Sequence, residues 1–243
     1  MTFLPHVVFD LDGTLVDSLP GIQWSVEAAL AETGIPARHR DLKPLIGPPI
    51  RRILAELSGV SEEPALDRLE RAFRSSYDSS GWRRTVCCEG ALATLRALMD
   101  SGLSLYLVTN KPAPATIRIL RSLRLAPFFQ EIVCRDSRIP VFESKAEMLL
   151  DLLRRRGFSA AESLMVGDTL EDAHASLAAG MPCALVPHGY GRGLDNALPA
   201  NCLRIRAWSE LVQLWDAPRA AGVNPWNRYS QSLEAAARLG EQA

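Results

Sequence analysis

Two acids, Asp10 and Asp12, follow the apolar run Val7-Val8-Phe9 and precede Gly13 and Thr14. Such a run reads as a buried strand, and residues at i and i+2 of a strand point to the same side. The two carboxylates are therefore expected to converge at the strand's carboxyl end, where open α/β sheets bind ligands. Adjacent carboxylates repel unless a cation or a shared proton relieves them, so the pair implies a metal or a divided acid/base role. A strand-end Asx turn is the competing reading. Gly13 suits either, because glycine allows a tight departure and a close backbone approach.

Two further apolar runs end in similar chemistry. Residues 104–108 close in Thr109-Asn110-Lys111-Pro112. There a hydroxyl and the following backbone N–H groups could hold a phosphate oxygen or simply cap a helix. Residues 163–166 close in Gly167-Asp168, with Asp172 four residues on. Asp172 would fall in the first turn of the next helix, where negative charge is favourable.

In this order and setting the stretches resemble the haloacid dehalogenase superfamily of phosphohydrolases. Asp10-Leu11-Asp12-Gly13-Thr14-Leu15 is similar to its first motif and continues through Val16-Asp17-Ser18 in the form of the phosphoglycolate-phosphatase-like branch. Thr109 stands where the second motif has its phosphate-binding hydroxyl, and Gly167-Asp168-Thr169-Leu170-Glu171-Asp172 resembles the fourth. The third motif is a lone lysine. Chain order and a place at the start of an amphipathic helix favour Lys145 over Lys111, which directly follows the second motif.

The resemblance implies a magnesium site of hard oxygen donors. These are Asp10, the Asp12 backbone carbonyl and Asp168, with Asp172 in support. It further implies hydrolysis of phosphomonoesters through an aspartyl-phosphate, with Asp10 attacking phosphorus. Asp12 would protonate the leaving alcohol and then activate water. Thr109, Asn110 and Lys145 would hold the phosphoryl oxygens. An acid at position 12 argues for phosphate esters over carbon–halogen bonds, because the dehalogenase branch lacks one there.

The elements that must carry these residues alternate strand and helix. Strands are expected over 7–9, 105–108, 132–134, 164–166 and 183–186, with helices over 92–99, 116–123, 146–156 and 170–179. That alternation indicates βαβ units and a parallel sheet. One block breaks it: helical spacing alone runs through 20–32, 51–57 and 65–77. The family inserts a helical cap at this point. The expected fold is therefore α/β, a Rossmann-like doubly wound parallel core of residues 1–17 and 84–216, with an α-helical cap over 18–83 and an extension over 217–243. The cap loop Leu45-Ile46-Gly47-Pro48-Pro49-Ile50-Arg51-Arg52 is the expected specificity loop. Gly47 and Arg51 (or Arg52) would meet the leaving group, an arginine binding a carboxylate or second phosphate bidentately.

Composition narrows the partners. A net charge of −1 over 243 residues offers no electrostatic case for nucleic acid or an anionic membrane. No apolar run approaches the ~20 residues of a membrane span, and none resembles a signal peptide. Five cysteines without CxxC spacing suggest reduced thiols in a cytoplasm. The expected partner is a small phosphorylated metabolite, phosphoglycolate-like or a sugar phosphate; a homodimer stays open. The alternatives are a phosphonatase, for which Lys43 is the nearby candidate imine-former, a phosphosugar mutase, or a regulatory protein on an inactive fold. His188-Gly189-Tyr190-Gly191 resembles a loop of the same relatives and has no assigned role.

Overall fold

The computed structural model describes residues 5–39, 41–191 and 198–216. In chain order the strands are β1 (His6–Phe9), β2 (Val16–Asp17), β3 (Val86–Cys87), β4 (Ser104–Thr109), β5 (Phe129–Cys134), β6 (Ser163–Gly167), β7 (Cys183–Leu185) and β8 (Cys202–Arg204). The helices are α1 (Leu19–Thr33), α2 (Ile50–Ser58), α3 (Glu63–Ser79), α4 (Ala91–Asp100), α5 (Ala113–Ser122), α6 (Lys145–Arg156), α7 (Leu170–Ala178) and α8 (Trp208–Asp216).

Six strands form one parallel sheet in the order β5-β4-β1-β6-β7-β8. The chain thus winds outward from β1 in one direction and then in the other, which leaves a crevice at the switch point beside β1. Register decides what meets there. Phe9 of β1 is level with Leu107 of β4 and Val166 of β6. The residues just beyond, Asp10, Thr109 and Asp168, therefore leave the sheet at one edge.

Both faces of the sheet are covered, which is why β1 reads as continuous apolar sequence rather than an alternation. Val7 and Phe9 pack with α4, α5 and α8 through Leu95, Ile119 and Leu211. Val8 packs on the opposite face with α6 and α7 through Met148, Leu152 and Ala173. The spacing of Trp208 and Trp215, seven residues apart, predicts that both lie on the buried face of a terminal helix, and α8 differs from this. Trp208 and Trp215 are only half-buried at its rim, while Leu211 and Leu214 fill the core. Trp208 instead donates its indole N–H to the Glu89 carbonyl at 3.0 Å, as a large ring with a polar tip often does.

Helices α1, α2 and α3 gather round a separate apolar cluster that includes Val26, Leu54, Leu69 and Phe73. The chain leaves the sheet for this block through β2 and returns through β3, and the two strands pair antiparallel. Neither this short ladder nor β8 had a readable signal, because strands of two or three residues carry no usable period. The extension expected over 217–243, read from the sequence as a linker-like stretch at 217–224 and a short helix at 231–239, lies outside the described residues. No helix among those described is long and apolar enough to cross a membrane. All five cysteines are free thiols.

Helix α1 and the returning chain touch backbone to backbone. A Cβ at Gly21 would lie 2.3 Å from the Gly81 carbonyl oxygen. Alanine is the better helix former by about 1 kcal/mol, but an overlap with backbone cannot be relieved by a rotamer change. Gly21→Ala is expected to lower stability, with overpacking of ~1–3 kcal/mol outweighing the propensity gain. A denaturant midpoint at or above that of the native chain would refute this.

Candidate active site

Asp10 extends the β1 ladder by one bond, its N–H donating to the Val166 carbonyl at 2.9 Å. The chain then turns sharply at Gly13, whose φ is +86°. Only glycine fits there for a second reason: a Cβ would sit 2.3 Å from an oxygen of Asp168. The turn thus presses the first acidic stretch directly against the acid leaving β6.

Lys145 opens α6 and is almost wholly buried, at 2% exposure. Its ammonium donates to Asp10 Oδ1 at 2.8 Å and to Asp172 Oδ1 at 2.6 Å. Asp172 is fully engaged. Its other oxygen accepts from the Asp168 N–H at 3.2 Å and from the Thr169 N–H and hydroxyl at 3.0 and 2.8 Å. It therefore caps α7 and anchors the lysine at once. The rival lysine is also at the site, on the other acid. Lys111 donates to both oxygens of Asp12, at 2.9 and 3.0 Å, and sits over the Tyr77 ring supplied by α3. Each member of the acidic pair thus has its own buried ammonium.

Asp168 is held from two sides. Its Oδ1 accepts from the Thr14 hydroxyl at 3.1 Å and its Oδ2 from the Tyr190 N–H at 2.7 Å. Neither donor is a cation. Single oxygens of Asp10, Asp168 and Asp172 all lie within 4.8 Å of one another. Burial and the charges of Asp172 and Asp10 push the Asp168 carboxyl well above its usual range. Burial likewise raises Asp10 from 3.8 to about 7, against the pull of Lys145. Burial works against the ammonium of Lys145, but Asp10 and Asp172 outweigh it and hold the lysine well above its ordinary value. Burial also opposes ionisation of Asp172, yet Lys145 and the Thr169 donors keep its carboxyl below the ordinary value. Three carboxyl groups facing one ammonium cannot all ionise readily without a further cation. With Asp172 saturated, the oxygens of Asp10 and Asp168 fit a hard divalent cation better than a thiophilic one.

Thr109 is buried at the end of β4, and its hydroxyl accepts from the Lys111 N–H at 3.2 Å. The helix cap that competed for its hydroxyl is absent, since α5 begins after Pro112. Asn110 turns to the cap block. Its amide donates to the Gly47 carbonyl at 3.0 Å and to Glu171 Oε1 at 2.8 Å. Asp10, Asp12, Thr109, Asn110, Gly47 and Arg51 all line one cavity of about 260 Å³, together with Ile46, Phe73 and Tyr77 of the helical block. Arg51 reaches it with its charge already matched by Glu63, by Asp67 at 2.8 Å and by Glu70 at 3.0 Å. Lys43 lines a different cavity, with Asp17, Glu89 and Tyr190.

Sequence reasoning assigned no role to Thr14, Glu171 or Tyr190. Thr14 lies inside the first motif, and Glu171 beside Asp172, so both were within reach. Tyr190 reaches Asp168 from 22 residues away, a proximity that only the return of the chain past β7 creates.

Lys145 should matter to the fold as well as to the chemistry. Removing one partner of a buried ion cluster typically costs ~3–5 kcal/mol, and Lys145→Met in metal-free protein is expected to fall in that range at pH 8. An acid with a raised folded pKa gives stability that is fully present below the unfolded value of 3.8 and lost as pH rises through about 7. At pH 5 a proton can replace the lysine on Asp10, so the deficit should shrink. Equal deficits at the two pH values, measured by urea unfolding, would contradict the assignment.

The family model for haloacid dehalogenase-like hydrolases matches residues 7–186. The chain is 34% identical over 198 residues to the phosphoglycolate phosphatase of Pseudomonas syringae pv. tomato, covering 77% of this chain and 71% of that one. It is 33% identical over 224 residues to phosphoglycolate phosphatase 1 of Pseudomonas aeruginosa, covering 88% and 81%. Among solved structures, a predicted phosphatase from Clostridium acetobutylicum superposes with a TM-score of 0.77 at 28% identity, covering 87% of this chain and 97% of that one. Protein Tyrosine Kinase A of Mycobacterium tuberculosis superposes with a TM-score of 0.74 at 30% identity, covering 88% and 98%. With its motifs gathered at the switch point of a doubly wound sheet and a family match across most of its length, the chain belongs to the haloacid dehalogenase-like hydrolases, in their phosphoglycolate-phosphatase-like branch.

Proposed function

We propose that this chain, a phosphatase by family, is a magnesium-dependent hydrolase of small phosphomonoesters that carries the phosphoryl group on Asp10. One observation bears most of the weight: Asp10 and Asp12 leave the tip of β1 two residues apart, each against a separate buried lysine, and open with Thr109 into one small cavity. Asp10 is the nucleophile. Its carboxylate attacks phosphorus as the bond to the leaving oxygen breaks. Asp12 delivers a proton to that oxygen, then takes one from the water that splits the acyl phosphate and frees phosphate. Lys145 keeps Asp10 aimed, and the Thr109 hydroxyl with the backbone of Asn110 steadies the phosphoryl oxygens. A magnesium ion held by Asp10, Asp168 and the Asp12 carbonyl supplies, when bound, positive charge against a phosphoryl oxygen.

The cavity supports a small leaving group. At about 260 Å³ it lies just below the ~300–1,000 Å³ of drug-sized sites. Arg51 and Arg74 reach it already paired with Glu70, which leaves Arg135 as the bordering arginine without an ion pair among the described residues. That favours an anionic leaving group such as the carboxylate of a 2-phosphoglycolate-like ester, the substrate named for the Pseudomonas relatives, with sugar phosphates next. Residues 18–83 act as the cap that closes over the substrate and excludes water from the acyl phosphate. The phosphonatase reading loses support because Lys43 lines another cavity. The inactive-scaffold reading loses support from the Lys145–Asp10 contact.

Phosphate release is expected from at least one member of a panel of 2-phosphoglycolate, sugar phosphates and nucleotides, and is expected to vanish in Asp10→Asn. Turnover that survives in Asp10→Asn would remove Asp10 as nucleophile. With phosphonoacetaldehyde added to the panel, release confined to it would move the reaction to carbon–phosphorus cleavage.

Magnesium must displace a proton from an acid raised to about 7, so it should bind more tightly as pH rises through that value. The magnesium-induced rise in Tm is expected to be larger at pH 8 than at pH 6, and to disappear in Asp168→Asn. A rise independent of pH, or unchanged in Asp168→Asn, would place the cation elsewhere.

A further inference from the structure

Tyr190 touches two parts of the molecule that must act together. Its backbone N–H donates to Asp168 Oδ2 at 2.7 Å. Its phenol oxygen accepts from the N–H groups of Ser18 and Leu19, at 3.0 and 3.1 Å, and its hydroxyl donates to Asp17 Oδ1 at 2.9 Å. Ser18 and Leu19 are where the chain passes from β2 into α1, the first crossing between sheet and cap. One residue therefore spans from the acid proposed to hold the cation to the point about which the cap would turn.

The local chemistry makes this contact more than incidental. Ser18 occupies the N-cap position of α1, yet its side chain makes no capping bond, and its hydroxyl is buried without a partner. Helix N-terminal N–H groups need acceptors, and Tyr190, with Asp17 on the Leu19 N–H at 3.1 Å, supplies them from outside the helix. A cap borrowed from the sheet domain ties the first turn of α1 to the core only while the phenol stays in place.

The phenol has little freedom to move independently of Asp168. A Cβ added at Gly189 would lie 2.1 Å from the Asp168 Cβ, and one at Gly191 would lie 2.5 Å from the Asp168 carbonyl oxygen. The loop is thus molded onto that acid. His188 adds a further tie, its Nε2 lying 3.0 Å from the Thr14 carbonyl, and Thr14 itself donates to Asp168. The Tyr190 ring lies over Gly13, where a Cβ would come within 2.7 Å of it, and packs against the apolar cluster of the cap.

We propose that Tyr190 is a positioning residue that couples occupancy of the cation site to the cap hinge. A cation drawing on Asp168 fixes the loop through the Tyr190 backbone, and the phenol then fixes the Ser18–Leu19 turn. The inference rests on the cation site proposed above and adds a path from that site to cap closure.

The test is hydrogen–deuterium exchange at the amides of residues 18–22 in the full chain, with and without saturating magnesium, in native protein and in Tyr190→Phe. That variant keeps the ring and the backbone N–H and removes only the hydroxyl. Magnesium affinity is measured in parallel by calorimetry. In the native chain magnesium is expected to slow this exchange by about tenfold, a usual size for coupling between sites. In Tyr190→Phe the affinity should stay within about twofold, because the backbone arm to Asp168 is intact, while the effect on exchange should be lost. Equal slowing in both proteins would overturn the coupling and leave the cation site standing. Absence of magnesium binding in native protein would overturn the cation site, and this inference with it. A merely structural role for the hydroxyl would raise exchange equally with and without magnesium, which also counts against the proposal.

Discussion

The site depends on a buried charge imbalance at the carboxyl end of β1 and β6. Carboxylates of Asp10, Asp168 and Asp172 crowd within one small volume, and one ammonium, that of Lys145, bridges two of them. Such an arrangement is poor as a stabilising device, since desolvating charges costs more than most pairings return. Its value is preorganisation. Lys145 fixes Asp10 against α7 through Asp172, and Asp172 in turn is fixed by the backbone of the turn it caps. Asp10 is thereby referred to two helices and two strands at once, and Asp168 faces it without a cation of its own.

The second lysine divides the acidic pair. Lys111 is not a solvent-facing lysine. Instead Lys111 lies against Asp12 beneath Tyr77, a cap residue. The cation on Asp12 therefore lies against a ring of the cap, whereas the cation on Asp10 belongs to the core. Two identical side chains can then take different parts in one reaction. The Asn110 amide makes a similar link, from the end of β4 to the Gly47 carbonyl.

The likeness to a protein named as a tyrosine kinase shows why the argument for hydrolysis leans on the site and not on the fold. A doubly wound sheet with a helical cap can bring a phosphoryl group to an acid in many settings. The small cavity and the acid at position 12 are local features, and they are what favour a small ester.

Much of this was legible in the residues. Short apolar runs ending in Asp-x-Asp-Gly-Thr, Thr-Asn and Gly-Asp indicated strands of a parallel sheet and their functional ends, because a strand buried on both faces must be apolar throughout and must stop where chemistry begins. The helical block announced itself by its 3.6-residue period. Contacts between distant segments were not legible. Which lysine meets which acid, the diversion of Asn110 to the cap, the neutralisation of Arg51 by three acids, and the reach of Tyr190 to both Asp168 and the α1 turn depend on register and on helix packing across the switch point. A sequence fixes the period and the chemical type of each side chain. Only the tertiary structure brings residues 135 or 172 positions apart in the chain to within a hydrogen bond, because that distance is set by how the layers pack and not by any local preference.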